Sequence, residues 1–390
     1  MALANRIVSL TLERPIYGGD CIGWIEGKAV LVPFGMPGEK VVARVIEEKK
    51  DYCLAVIEET SGGGSRIAPA CPNFGQCGGC SYQHMDYATE IEVKKMILLD
   101  SLRRIGRFSD DSLPAIEVHT GGRYRYRGHA TFQVKNGDVG FYRKGSEDLV
   151  RLPPQGCAIA AEPINAHIAL IERSKAVSKG TLRVALDDAG IVRDSAQKEA
   201  VVSNLVGGIE FTRAIGCFFQ ANRFLRERLM GIVVDWAGLS KRDFIDIGCG
   251  VGFFSLALAA RGGHGLGIDM DRESIQWARY NAAHNGISGV EFSAMPSSRL
   301  HPGRCRPPVV VADPPRAGLD RKTRGAIMAM RPEIVVYVSC SPPTFSRDAR
   351  DFYSGGYLID RIALVDMFPC TFHIETAARF VRPSSPTALS

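Results

Sequence analysis

No apolar run in the chain approaches the roughly 18 consecutive residues that would cross a bilayer. Arg6, Glu13 and Arg14 interrupt the N-terminus before the apolar core of a signal peptide could form. These absences point to a cytoplasmic protein with no membrane partner. A large excess of one charge is also missing: 48 Lys+Arg stand against 42 Asp+Glu, a net +6 that is modest for a nucleic-acid binder. The surplus is uneven, with 22 Lys+Arg against 16 Asp+Glu in residues 211–390 but 7 against 9 in residues 1–60. Cysteine, by contrast, is plentiful. Eleven cysteines, an odd number, in a reducing compartment argue for metal-binding or catalytic thiols and against a disulfide framework. At 390 residues the chain exceeds one ordinary core, so two or three domains are expected.

Residues 1–60 alternate short β-type runs with glycine punctuation, such as IVSLTLE and GEKVVARVIEEK. Four or five short strands predict a small barrel of the oligonucleotide-binding kind; a purely structural β appendage fits equally well. SGGGS at 61–65 reads as a linker, after which CPNFGQCGGC places Cys71, Cys77 and Cys80 within ten residues on a glycine-rich backbone. Zinc and iron–sulfur centres both take four thiolates, and Cys157, in the loop LPPQGC, is the best candidate for the fourth. Spacing leaves zinc and cluster open.

Apolar residues at helical spacing from Asp86 to Ile105 predict an amphipathic helix. The stretch RYRYR then interleaves Arg123, Arg125 and Arg127 with Tyr124 and Tyr126. In a strand this would put three guanidinium groups on one face and two phenols on the other, suited to phosphate contact or base stacking; a solvated edge strand is the alternative. Residues 61–210 as a whole predict an α+β central domain.

From Arg242 the pattern becomes strand, glycine-rich turn, helix. DIGCGVGFF carries Asp246 at the mouth of a turn built on Gly248, Gly250 and Gly252, followed by Phe253. The spacing is GxGxG, not the GxGxxG of dinucleotide binders. Asp269 ends the next strand, where a carboxylate can accept hydrogen bonds from ribose hydroxyls, and Asp313 ends a third, VVVADPP. A fourth, IVVYV, delivers Cys340 to a point where Pro342 and Pro343 stop regular structure. Acidic and thiol groups at successive strand tips predict a doubly wound α/β sheet over 211–390 with its site on one edge. Alone, a cysteine at a strand end is more often inert packing than a nucleophile.

With these motifs together, the chain resembles the S-adenosylmethionine-dependent RNA uracil-C5 methyltransferases, close to those acting on 23S ribosomal RNA. The resemblance spans nearly the whole length through CPNFGQCGGC with Cys157, FFQAN, DIGCGVG, DPPRAGLD, YVSCSPPTFSRD and DMFPCTFHIET. It implies an N-terminal TRAM domain and a [4Fe-4S] cluster on Cys71, Cys77, Cys80 and Cys157. It further implies a C-terminal Rossmann-like class I methyltransferase domain, with a cofactor site lined by Gln220, Asp246, Gly248, Gly250, Gly252, Phe253, Asp269 and Asp313. Cys340 would be the nucleophile and Glu375 the base, in a monomer whose partner is RNA. In such proteins the helix near 86–106 can pack with the catalytic domain. Phe218 or Phe219 is a candidate for stacking on an extruded base. The chain departs from the family at Gly248, commonly aromatic, at Ser341, commonly Asn, and at Cys370, commonly His. The reaction on transfer RNA, and an RNA-binding iron–sulfur protein without catalysis, are the competing expectations.

Overall fold

The structure, a computed structural model, describes residues 4–197, 199–238, 242–302 and 307–383. Its centre is an eight-stranded sheet in the order Val290–Ala294, His264–Asp269, Asp243–Ile247, Val309–Ala312, Ile334–Ser339, Glu375–Val381, Leu358–Val365, Ile116–His119. The first five strands are parallel, and Glu375–Val381 runs antiparallel between Ile334–Ser339 and Leu358–Val365. Strands in the middle of such a sheet are covered on both faces, hence unbroken apolar runs such as VVVA, buried at every position. Alternation sorts these side chains: Val309, Val311, Val336 and Val338 join a core with the helices Arg226–Ala237 and Phe253–Ala260. Val310, Ala312, Val335 and Tyr337 face the opposite core with the helices Tyr87–Arg104, Arg321–Met330 and Pro342–Ser354.

Three expectations need correction here. Pro342 and Pro343 do not stop regular structure; they open the helix Pro342–Ser354, because proline's missing N–H costs nothing in a first helical turn. The edge strand Val290–Ala294 escaped sequence reading: VEFSA is short and half polar, and only one of its residues is buried. The catalytic sheet is also not confined to 211–390. The helix Tyr87–Arg104, N-capped by Asp86 accepting from the Thr89 N–H (2.7 Å), packs beside Pro342–Ser354, in line with the expectation for it, but Ile116–His119, from outside that range, forms the sheet's far edge.

The N-terminal residues form a six-stranded sheet around its own apolar core, and its last strand, Tyr52–Gly62, runs into the expected SGGGS linker, where Ser61 pairs with Lys40. The middle of the chain supplies a five-stranded antiparallel sheet backed by the helix Glu162–Ser174. The hairpin Val201–Val206/Ile209–Ala214 straddles the expected boundary at residue 210. Among the described residues no helix is long and apolar enough to cross a membrane.

Candidate active site

Cys340 lies one residue past the strand Ile334–Ser339, half-buried at the C-terminal edge of the sheet. Glu375 opens the adjacent antiparallel strand and is 4% exposed; Asp313 follows Val309–Ala312 on the other side. These groups sit close enough to act on one another. Burial pushes the Cys340 thiol up to about 12, reinforced by Glu375 and Asp313, while Arg316 pulls it down. Burial likewise raises both carboxyls, and Glu375 adds to the upward push on Asp313. The resting cleft therefore favours a protonated thiol and neutral carboxyls, with the Arg316 guanidinium as the cationic group favouring thiolate. Arg316 also lies 3.1 Å from His373 Nε2, whose ring is held neutral by burial.

One neighbour could not have been inferred from sequence spacing. Tyr17, from the N-terminal sheet's loop, donates its hydroxyl to the carbonyl of Cys340 (3.1 Å) and packs edge-on against Phe372 (5.5 Å between ring centroids). The loop is held by Lys144, which bonds both Asp20 (2.7 Å) and the Gly18 carbonyl (3.3 Å). A segment 323 residues away thus fixes the backbone of the candidate nucleophile.

The glycine turn lies at the same edge. Gly248, Gly250 and Gly252 all have positive φ (+80°, +53° and +90°). At Gly248 a Cβ would meet the Asp313 carbonyl at 2.5 Å, so this backbone accommodates no aromatic side chain there. At Gly250 a Cβ would meet nothing within 4 Å: this part of the turn faces open space. Asp269 accepts from the Gly250 N–H (2.9 Å), and Gln220 Nε2 lies 3.5 Å from Asp313 Oδ2, bringing turn, strand tips and Gln220 to one cleft. Two expected cofactor residues sit differently. The Phe253 ring belongs to the core, against Phe211, Phe219 and Phe254 at 5.0–5.5 Å, and Asp246 is fully buried beneath the turn, accepting from Ser255 Oγ (2.5 Å). Burial raises the Asp246 pKa to about 7.

Cys71, Cys77, Cys80 and Cys157 line a single cavity walled by Phe141, Val150, Leu152 and Ile159. The thiols act electrostatically on one another, and the Gly79 N–H points at Cys77 Sγ (3.4 Å). Among the described residues, no three His, Cys, Asp or Glu side chains converge on a single-ion site.

The RYRYR expectation is overturned. Residues 122–126 are not a strand, because Arg125 takes a left-handed backbone (φ +57°), and the alternation of faces is lost. Tyr126 is fully buried, donating to the Pro369 carbonyl (3.0 Å), and Arg123 is bound internally to Glu90 and to the carbonyls of Tyr82 and Met85. Arg125 bonds the Cys157 carbonyl (2.9 Å), Arg127 the His129 carbonyl (3.2 Å), and Tyr124 is half-buried. These side chains stitch the cysteine loops to the sheet. Phe218 is different: it is 64% exposed beside Gln220.

Residues 193–382 match the family model described as tRNA (Uracil-5-)-methyltransferase. An uncharacterised RNA methyltransferase of Aquifex aeolicus is 33% identical over 96% of this chain and 99% of its own length. The 23S rRNA (uracil(1939)-C(5))-methyltransferase RlmD of Aeromonas salmonicida is 30% identical over 92% of this chain and 93% of its own length. The chain belongs to the RNA uracil-C5 methyltransferase family. In fold it is similar to the Pyrococcus abyssi tRNA (uracil-54, C5)-methyltransferase, solved with S-adenosyl-L-homocysteine, with a TM-score of 0.75 at 22% identity over 95% of this chain and 99% of that one. In this chain a thiol, a buried carboxyl and an open glycine turn meet on one sheet edge.

Proposed function

We propose that this enzyme methylates C5 of a specific uridine in 23S ribosomal RNA through a covalent adduct at Cys340. The observation that carries the proposal is the convergence of Cys340, Glu375 and Asp313 at the strand tips beside the glycine turn. Carbon 5 of uracil is too weak a nucleophile to accept a methyl group unaided. Addition of the Cys340 thiolate to carbon 6 moves electron density to carbon 5 as an enolate, and one hard step becomes two easier ones. The Cys340 thiol and the Glu375 carboxyl, protonated in the resting cleft, each lose a proton to solvent first, and Arg316 favours the thiolate. After methylation, Glu375 as carboxylate takes the carbon 5 proton; the electrons of that C–H bond restore the 5,6 double bond, and the carbon–sulfur bond breaks to release the thiolate.

S-Adenosylmethionine, when bound, supplies the electrophilic methyl group. The residues fit it: the open turn at Gly250 admits backbone contact, Asp269 stands where a ribose would be held, and Gln220 and Asp313 close the other side. Burial raises both carboxyl pKa values by disfavouring the charged forms, and a cationic sulfonium beside them would favour the carboxylates. Asp246 shapes the turn from below.

Cys71, Cys77, Cys80 and Cys157 would hold a [4Fe-4S] cluster. A cubane takes one thiolate at each of four separate irons, so its ligands stand farther apart than those of a single ion. The N-terminal sheet is read as a TRAM domain contributing to RNA binding, and Phe218 as a ring for the extruded base or its neighbour. The 23S assignment rests on the RlmD relative; transfer RNA remains the competing substrate. Bare 23S and transfer RNA transcripts, incubated with enzyme and labelled methyl donor, separate the two. Label on 23S alone, absent with Cys340→Ala, is expected; label on transfer RNA alone contradicts the assignment.

A further inference from the structure

Between the middle of the chain and the catalytic core lies a cavity of about 140 Å³ that shares only Gln220 with the cofactor site described above. His129, Asn204, Arg213, Gln220 and Arg226 are among its lining residues. Arg213 is 3% exposed, yet no carboxylate of the described residues lies within ion-pair distance of it. Its polar partner is Asn204 Oδ1 (2.8 Å), and its guanidinium lies over the Phe219 ring at 4.1 Å. Asp188, which also lines the cavity, is engaged by Arg226 (2.8 Å), by Asn204 (3.1 Å) and by the Leu205 N–H (2.5 Å). Asp187, on the rim, accepts from the Ile191 N–H in its own turn (2.7 Å). A guanidinium has five N–H donors, and a buried one whose donors are mostly unmatched needs an anion. Burial and the neighbouring Arg226 push Arg213 down to about 9, so its charge is poorly served in the free protein.

We propose that this cavity receives a backbone phosphate of the RNA substrate, gripped by Arg213 and steered by Arg223 at the rim, next to the extruded uridine. The tripeptide Phe218–Gln220 supplies the link. Phe219 lies under Arg213, Phe218 projects into solvent, and Gln220 reaches toward Asp313. One short segment thus joins phosphate grip, stacking ring and reaction cleft, setting the register of the RNA relative to Cys340. The proposal rests on the reading of the protein as an RNA uracil-C5 methyltransferase.

The test scans the minimal transcript methylated by the wild-type enzyme with single neutral methylphosphonate linkages, and measures RNA affinity against salt. One linkage near the target uridine should weaken wild-type binding roughly 10- to 100-fold, as expected for a charge-assisted hydrogen-bonded contact. Arg213→Met should bind the unmodified RNA correspondingly weaker, become indifferent to that linkage, and lose about 0.7 from the slope of log K against log salt. Arg213→Lys should keep most of the slope. A wild-type enzyme insensitive to every single linkage overturns the phosphate site whether or not the Met variant folds. So does an Arg213→Met enzyme with unchanged affinity and slope. In both cases wild-type methylation would persist; failure to methylate any RNA would instead sink the functional reading itself.

Discussion

Lys94, on the helix Tyr87–Arg104, is completely buried and bonds Asp366 (2.7 Å), Glu90 (2.8 Å) and the Phe368 carbonyl (3.0 Å). Burial works against its charge, but Asp366 and Glu90 outweigh this and hold its pKa above the ordinary value. The Glu90 pKa is raised as well, by burial first and by Asp366, while Lys94 and Arg123 pull it down. Glu90 also accepts from the Cys370 N–H (2.6 Å), so the network pins the loop that leads to Glu375. Lys94→Met keeps the side-chain length and removes the charge, leaving two buried carboxylates facing each other. Breaking a buried pair in this way costs about 3–5 kcal/mol, a large part of the roughly 5–15 kcal/mol that holds a domain folded. Urea unfolding followed by the fluorescence of Trp236, buried in the catalytic core, should show that loss at pH 7.5. Part of it should return in the double variant Lys94→Met/Asp366→Asn. A loss below about 1 kcal/mol at pH 7.5 would refute the claim that this network orders the loop.

Tyr17→Phe removes one hydrogen bond, worth about 0.5–1.5 kcal/mol, at the carbonyl of the candidate nucleophile. It should lower kcat roughly 2- to 10-fold with the melting temperature nearly unchanged; an unaltered kcat shows that the N-terminal loop does not position Cys340. Arg316→Met removes the cation that lowers the Cys340 pKa, so alkylation of Cys340 by iodoacetamide at pH 8, mapped by mass spectrometry, should slow. An equal rate would assign thiolate stabilisation elsewhere. Asp246, Asp313 and Glu375 all have folded pKa values raised above those of the unfolded chain. The stabilisation from their protons is therefore complete below about pH 4 and is lost as pH rises through the folded pKa, about 7 for Asp246. Ligand-free enzyme should melt at a lower temperature at pH 8 than at pH 5.5. Asp246→Asn should flatten that dependence by up to roughly 1.4 kcal/mol per pH unit between pH 5 and 7; an unchanged slope would contradict the buried-acid reading.

The sheet was legible wherever strands are buried on both faces: FIDI, VVVA and IVVYV declare themselves by composition and by the acid or thiol at their tips. Cys157 was reached through its loop residues, and the fold does bring it to the cavity of Cys71, Cys77 and Cys80. Val290–Ala294 was missed because an exposed edge strand needs no apolar run. RYRYR misled because one left-handed residue, Arg125, destroys the two-residue period on which the face argument rested. Tyr17, Lys94 and Arg213 carry no local signal: each owes its significance to partners contributed by distant segments, which only packing reveals.

The central claim is that Cys340 bonds covalently to the target base during turnover. RNA carrying 5-fluorouridine at the methylated position, incubated with enzyme and methyl donor, should yield a stable protein–RNA species, because fluorine cannot leave as a proton does. Peptide mass spectrometry should place the nucleotide on Cys340. Linkage through any other residue, or methylation persisting in Cys340→Ala, would contradict the account.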